Sequence, residues 1–171
     1  MYNSSELIEL LKKKYKIEVH QHDALFTVED SRKLRGKIDG ADTKNLFLKN
    51  KKNNFFLLSC EEADKIDLKK ISKSLELGNI SFAKEEYLEK YLKIKPGSIS
   101  PFALLNDKSG FVNFYLEQTL YESKFVNFHP LVNTFTITIE TLKFIEFMIE
   151  NDKKIHIFST AEEKILRTYG T

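Results

Sequence analysis

Apolar residues recur along this chain at two spacings, and the spacing changes often enough to mark out short alternating elements. Leu7, Leu10 and Leu11 share one face of a helix predicted over residues 4–14, with Asn3 or Ser4 placed to cap it. Extended chain is expected at 17–20 and 25–28, then a brief helix over 29–35 stopped by Gly36. Strands at 43–48 and 55–59 flank the turn Lys51-Lys52-Asn53-Asn54. Residues 68–75 and 84–92 carry helical periodicity, and Pro96-Gly97 breaks the chain after them. Residues 102–105 and 111–116, around the turn 106–110, predict a second hairpin. Its later strand is apolar on both faces (Phe111 and Tyr115 against Val112 and Phe114), which places it deep in a sheet. Extended chain follows at 125–128. Phe135-Thr136-Ile137-Thr138-Ile139 alternates as a half-buried strand does, 141–150 reads as a helix capped by Thr141, and 155–158 as a last strand. Residues 161–171 read as helical. Strands and helices intersperse without the regular alternation of a doubly wound sheet, so the expectation is an α+β fold: one mixed sheet with helices around it.

Composition narrows the class. At 171 residues, with fourteen Phe and seven Tyr, the chain suits a single domain with an ample core. Cys60 is the lone cysteine, which excludes a disulfide framework and a cysteine-based zinc site; its apolar neighbours make it a buried small hydrophobe. The first residues lack the basic and apolar regions of a secretory signal, and apolar runs are far shorter than a bilayer span. A cytoplasmic protein with no membrane contact is expected. Net charge is +2, from 27 basic and 25 acidic residues, with arginine only at 32, 35 and 167. That balance permits a nucleic-acid partner without demanding one.

Three stretches depart from plain core-and-surface patterning. In Thr43-Lys44-Asn45-Leu46-Phe47-Leu48-Lys49, a strand puts Lys44 on one face with Leu46 and Leu48, and Asn45 and Lys49 on the other with Phe47. Lys44 either keeps its ammonium in water over a buried stem, or lines a cleft where partial desolvation sharpens its pull on an oxygen. Gly97-Ser98-Ile99-Ser100-Pro101 is a constrained loop, either a connector or a set of backbone N–H groups offered to a ligand. In Phe128-His129-Pro130-Leu131-Val132-Asn133-Thr134, Pro130 holds His129 extended and fixes where the imidazole points, as a structural residue or a site residue. His20 and His22 can share a strand face, but no Cys, Asp or Glu is paired with them, so no metal is expected. Nucleotide-binding glycine loops, the serine-hydrolase elbow and the zinc-protease helix motif are all missing, and no cofactor is expected. The carboxylate runs Glu61-Glu62 and Glu85-Glu86 read as solvated faces.

In this order, the stretches Leu25–Ser31, Leu34-Arg35-Gly36, 43–49, 97–102 and 128–134 resemble the bacterial YbaK-like family, the prolyl-tRNA editing domain. The nearest branch is the free-standing deacylases acting on alanine-charged tRNA for proline. The likeness runs from about His22 to Asn151. It implies a strongly curved mixed β-sheet or barrel surrounded by helices, one editing domain over residues 1–160, and a tail, 161–171, without an assigned role. One departure stands out. The branch commonly carries Pro after the early histidine, where this chain has Asp23-Ala24.

The resemblance implies an aminoacyl-tRNA deacylase that edits in trans. Lys44 takes the position of the family's essential lysine, and Asn45, Lys49 and His129 match positions retained around the pocket. Gly97 to Pro101 match the loop lying against the aminoacyl group. Lys44, Gly97, Asn45 and His129 are the candidate catalytic residues; Phe26, Lys49, Ser98, Ile99, Ser100, Pro101 and Asn133 are the candidate substrate contacts. The ester needs a positioned water and a stabilised oxyanion, with Lys44 an electrostatic anchor. A pocket smaller than the synthetase's would admit alanine and refuse proline. The expected partners are the acceptor end of mischarged tRNA(Pro) and, as a candidate, prolyl-tRNA synthetase, with the protein a monomer or weak homodimer. The rival readings are a deacylase for cysteine- or serine-charged tRNA, a small-molecule esterase, and a non-catalytic tRNA- or synthetase-binding module.

Overall fold

The computed structural model describes residues 1–34 and 37–171; the expected helix stop at Arg35-Gly36, and that part of the family motif, lie outside the described residues. The chain opens with α1 (Ser4–Lys14), whose Asn3 cap accepts the Glu6 amide while Glu6 returns a bond to the Asn3 amide. It continues through β1 (Ile17–Gln21), α2 (Val28–Leu34), β2 (Thr43–Asn50), β3 (Phe55–Glu61), α3 (Leu68–Ser74), β4 (Ile80–Phe82) and α4 (Glu85–Tyr87), which runs into a π turn at Leu88–Leu92. A 3-10 helix (Pro101–Asn106), β5 (Val112–Glu117), α5 (Gln118–Glu122), β6 (Phe125–Phe128), β7 (Phe135–Glu140), α6 (Thr141–Glu150), β8 (Ile155–Ser159) and β9 (Lys164–Tyr169) complete it.

The strands form two sheets where one was expected. Six lie in the order β4-β2-β3-β5-β8-β9, with β3, β5 and β8 parallel and the rest antiparallel; three lie antiparallel as β1-β7-β6. Neither sheet closes into a barrel among the described residues. A parallel bridge, Ala41 to Val126, stitches them together, and the Thr43 hydroxyl donates to the Asn127 carbonyl at 2.6 Å beside it. The larger core fills the space between the sheets under α1 and α6, with Phe102, Phe114, Phe128 and Phe144 packed edge to face. A smaller core of Leu48, Leu58, Phe56, Ile71 and Tyr115 lies on the other face of the large sheet, beneath α3. Cys60 is fully buried there, and burial pushes its thiol up to about 12.

Three expectations are corrected. Residues 102–105 do not form a strand: Pro101 starts a 3-10 helix, the Ser100 hydroxyl caps it by accepting the Phe102 amide, and burial on every side replaces alternation. β5, without that hairpin, begins at Val112 and sits between β3 and β8, as its apolar residues require, while Phe111, expected on one of its buried faces, lies before it and is exposed. Residues 164–169 are a strand paired to β8; nearly all of them are exposed, so backbone pairing decides the conformation and side-chain periodicity does not. Thr141 begins α6 but donates to the Ser123 carbonyl at 2.5 Å, joining α6 to the end of α5.

Candidate functional site

The segment between β1 and α2 is fixed before it meets anything else. The Asp30 carboxylate accepts the amides of Phe26 and Thr27, and the Thr27 hydroxyl accepts the Asp30 amide, a reciprocal cap on α2. Those bonds hold the Asp30 carboxyl below its ordinary range, the Thr27 and Phe26 bonds being the main causes. Leu25 and Phe26 are thereby presented to the 97–101 loop. Gly97 has φ of +84°, and a Cβ there would meet the Asn133 amide nitrogen at 3.3 Å, with the Leu25 carbonyl and the Phe26 ring both at 3.7 Å. Asn133 in turn donates to the Leu25 carbonyl at 3.2 Å. Three expected site residues, the catalytic candidate Gly97 and the substrate contacts Phe26 and Asn133, thus converge. Phe26 leaves 73% of its surface open to solvent.

Within the loop, Ser98, Ser100 and Pro101 are buried and Ile99 packs on the main core. The Ser98 amide is already used, donating to the Lys95 carbonyl at 3.2 Å. Among the described residues the amides of Gly97, Ile99 and Ser100 take no acceptor.

Beyond Asn133 lies His129. Its Nδ1 meets the Phe135 carbonyl at 2.9 Å, and because a carbonyl only accepts, Nδ1 carries the hydrogen. Nε2 of the neutral ring is left as an acceptor, and no donor fills it among the described residues. Burial holds the His129 imidazole below its ordinary value and the neighbouring His22 acts in the same direction, while the Phe135 bond opposes them. His129 lines a cleft of about 60 Å³ together with Leu25, Thr43, Glu62, Asn127 and Thr136. A second cleft adjoins it across Leu25 and Leu34, and His22, Asp23, Ala24 and Lys33 line that one.

Strand β2 divides its expected residues. Thr43 and Asn45 share the face that carries Phe47 and the main core; Asn45 accepts the buried Ser59 hydroxyl at 2.5 Å. Lys44 points to the opposite face with Leu46 and Leu48, half-buried, its ammonium donating to the Asp64 carbonyl in the loop after β3. Lys44 therefore neighbours the cleft through Thr43 without lining it. Lys49 is not brought to the cleft either. At roughly 3.3 Å per residue it stands about 16 Å along the strand from Lys44, donating to Asn53 and lying over the Tyr87 ring.

Several residues of this neighbourhood carry no sequence signal. His22 is expected neither as a metal ligand nor in a catalytic or binding role, and enters otherwise as the early histidine of the family likeness. Thr43, Asn127 and Thr136 are ordinary strand residues, and Glu62 belongs to a run that reads as solvated, yet is half-buried at the cleft. The bridge between the two sheets and the hydrogen bonds beside it bring them together.

The model of the aminoacyl-tRNA editing domain matches residues 22–147, most of the chain and all of this neighbourhood. The chain is 34% identical over 122 residues to the prolyl-tRNA editing protein ProX of Acetoanaerobium sticklandii, covering 70% of this chain and 73% of that protein. It is 35% identical over 133 residues to the prolyl-tRNA synthetase associated domain-containing protein 1 of Xenopus laevis, covering 75% and 79%. A crystal structure described as that of a candidate trans-editing enzyme for prolyl-tRNA synthetase superposes with a TM-score of 0.64 at 14% identity, over 91% of this chain and 96% of the other, which bears on the fold.

Proposed function

The chain belongs to the aminoacyl-tRNA editing domain family, and from that premise we propose that it clears alanine from mischarged tRNA(Pro) by hydrolysing the ester at the tRNA's 3′ end. The observation that carries the proposal is the convergence of Gly97, Phe26 and Asn133 on Leu25, which also lines the cleft holding a neutral His129.

In this reading the aminoacyl carbonyl faces the loop, where the exposed Gly97 amide, which takes no acceptor among the described residues, receives a developing oxyanion. A water attacks the carbonyl carbon and gives its proton to Nε2 of His129, which hydrogen-bonds through Nδ1 to Phe135 and so is held in the tautomer that can accept it. Collapse of the tetrahedral intermediate breaks the bond to the ribose oxygen. That oxygen takes the proton back, and alanine and free tRNA leave. Lys44 serves as the anchor: its ammonium now rests on one neutral carbonyl, and exchange for an anionic phosphate oxygen gives a stronger, charge-assisted bond. Asn45 braces the strand through Ser59, and the adjoining cleft, with Lys33 at its edge, receives the terminal nucleotide.

Selectivity follows from size. A synthetase built for proline rejects the smaller alanine by only about 1–3 kcal/mol of lost apolar contact, so a second, tighter pocket is needed. The small cleft volume and the buried Ser98 support a pocket that takes a methyl group and refuses a pyrrolidine ring. The test is deacylation of tRNA charged with alanine, proline, serine or cysteine, by wild type and Ser98→Leu. Alanine release should dominate and Ser98→Leu should suppress it. Preference for serine or cysteine would replace the substrate while leaving the chemistry, and unaltered alanine release by Ser98→Leu would remove the sieve from this loop.

A further inference from the structure

At the far end of β2 the surface changes character. Lys49 places its ammonium 5.1 Å from the centre of the Tyr87 ring, and Lys90 stands 5.0 Å from the centre of Tyr91. The two tyrosine rings are nearly parallel, 13° apart with centroids 6.2 Å apart, and both rest on buried Phe55. Phe111 extends the row, 5.5 Å from Tyr91, with 59% of its surface open. The adjoining turn adds exposed Lys51 and Lys52, and residues 43–60 contain no carboxylate.

Three features of this strip suit RNA. Lysines held over aromatic faces give up less side-chain freedom on gripping a phosphate than free ones do. An open aromatic ring between cations offers a flat apolar surface to a ribose or an unstacked base. The reach also fits: six residue steps of strand lead from Thr43 at the cleft to Lys49, about 20 Å, or roughly six nucleotide steps at ~3.4 Å each. Exposed Glu85, Glu86 and Glu89 on the same segment argue against a surface for polyanions in general. Contact is confined to the points where rings and lysines coincide.

We propose that the strip formed by Lys49, Tyr87, Lys90, Tyr91 and Phe111 receives the sugar–phosphate backbone of the tRNA acceptor arm while the 3′ end occupies the His129 cleft. This rests on the tRNA-deacylase reading and adds to it a second contact, remote from the chemistry, that makes the enzyme prefer whole tRNA to short esters.

The test compares wild type, Lys90→Glu and Phe111→Ala on alanine-charged tRNA(Pro) and on the same ester carried by a four-nucleotide 3′ fragment too short to reach the strip. On whole tRNA, Lys90→Glu should raise KM about tenfold at unchanged kcat. The slope of log kcat/KM against log salt should become shallower by about one. Phe111→Ala should raise KM with the slope unchanged, and on the fragment all three proteins should be equal. Equal behaviour of all three on whole tRNA overturns the strip, and so does an equal loss on both substrates. So does a change in sedimentation of the variants without a change in KM, which would give the surface to a second copy of the chain. Affinity for uncharged tRNA separates this from the chemistry. If wild type hydrolyses neither ester, the deacylase reading fails, while weaker tRNA binding by Lys90→Glu still upholds the strip.

Discussion

His22 and His129 hang from neighbouring residues of one short run, 134–136. Their ring centroids are 6.1 Å apart, and both are tied to the start of β7: the His22 amide donates to the Thr134 carbonyl, its Nε2 meets the Thr136 hydroxyl at 2.9 Å, and His129 donates to the Phe135 carbonyl between them. His22 Nδ1 also faces a carbonyl, that of Asp23, at 2.8 Å. In their neutral forms both imidazoles therefore carry hydrogen on Nδ1, and the Thr136 hydroxyl donates to His22.

The pH dependence follows with a definite sign. Burial first, then His22, lower the His129 value below 6.5. A base needed in its neutral form works above that lowered value and fails as pH falls through it. The acid limb of single-turnover kcat/KM should thus have its midpoint below 6.5, and His22→Gln, which removes the imidazole that opposes protonation of His129, should move it upward. A limb unmoved by His22→Gln would show that the two rings act independently. Stability moves the same way. The unfolded chain binds the extra proton first, so the contribution of neutral His129 is complete above about 6.5 and is lost as pH falls toward the folded value.

Gly97→Ala should cost both stability and activity. The left-handed φ alone carries a penalty of about 1–2 kcal/mol for a residue with a Cβ, and the added carbon meets the Asn133 amide at 3.3 Å. For a domain of this size, that corresponds to a fall in Tm of roughly 2–8 °C. Deacylation should fall further than the lost folded fraction explains, because Asn133 and Leu25 are displaced; thermal unfolding and turnover measured on one preparation check this.

Glu117 is a stability residue away from the cleft. Only 2% exposed, it takes the Thr119 amide and hydroxyl at 2.6 and 2.5 Å and the Thr160 amide and hydroxyl at 3.4 and 3.1 Å, clamping the end of β5 to the turn before β9. Glu117→Ala strands those donors and should cost about 3 kcal/mol in denaturant unfolding. The folded fraction should keep wild-type turnover. A selective loss of turnover would tie this clamp to the site.

Lys44→Ala and Lys44→Arg separate two roles. As the anchor, Lys44 loses at least about tenfold in kcat/KM on truncation at nearly constant Tm, and Arg restores part of it. As a brace for the loop after β3, its loss lowers Tm and leaves the kinetics of the folded enzyme unchanged.

Much of this was legible in the sequence, and the parts that were not share a cause. The strand at 135–139, the hairpin at 43–59 and the deep strand, expected at 111–116 and found at 112–117, follow from the pattern of apolar residues, because each buries one or both faces against a continuous core. The 3-10 helix at 101–106 and the strand at 164–169 do not: one is buried on all sides and the other on almost none, so neither has a period to read. The same holds in the site. Gly97, Asn133 and Phe26 are found together as their shared motif order suggests, whereas Lys49 follows its strand away to Tyr87. Asn127 and Thr136 reach the cleft through long-range pairings, the Ala41–Val126 bridge and the bonds of Asn127 to Asp42 and of Thr136 to His22, that no local pattern encodes.

The most direct measurement is the rate of amino-acid release from tRNA(Pro) charged with alanine and, separately, with proline, at equal enzyme concentration and with His129→Ala beside wild type. Rapid release of alanine with proline left in place, and loss of that release in His129→Ala beyond what its folded fraction explains, is the expected result. Equal release of both amino acids would contradict the sieve, and full activity in His129→Ala would contradict the site.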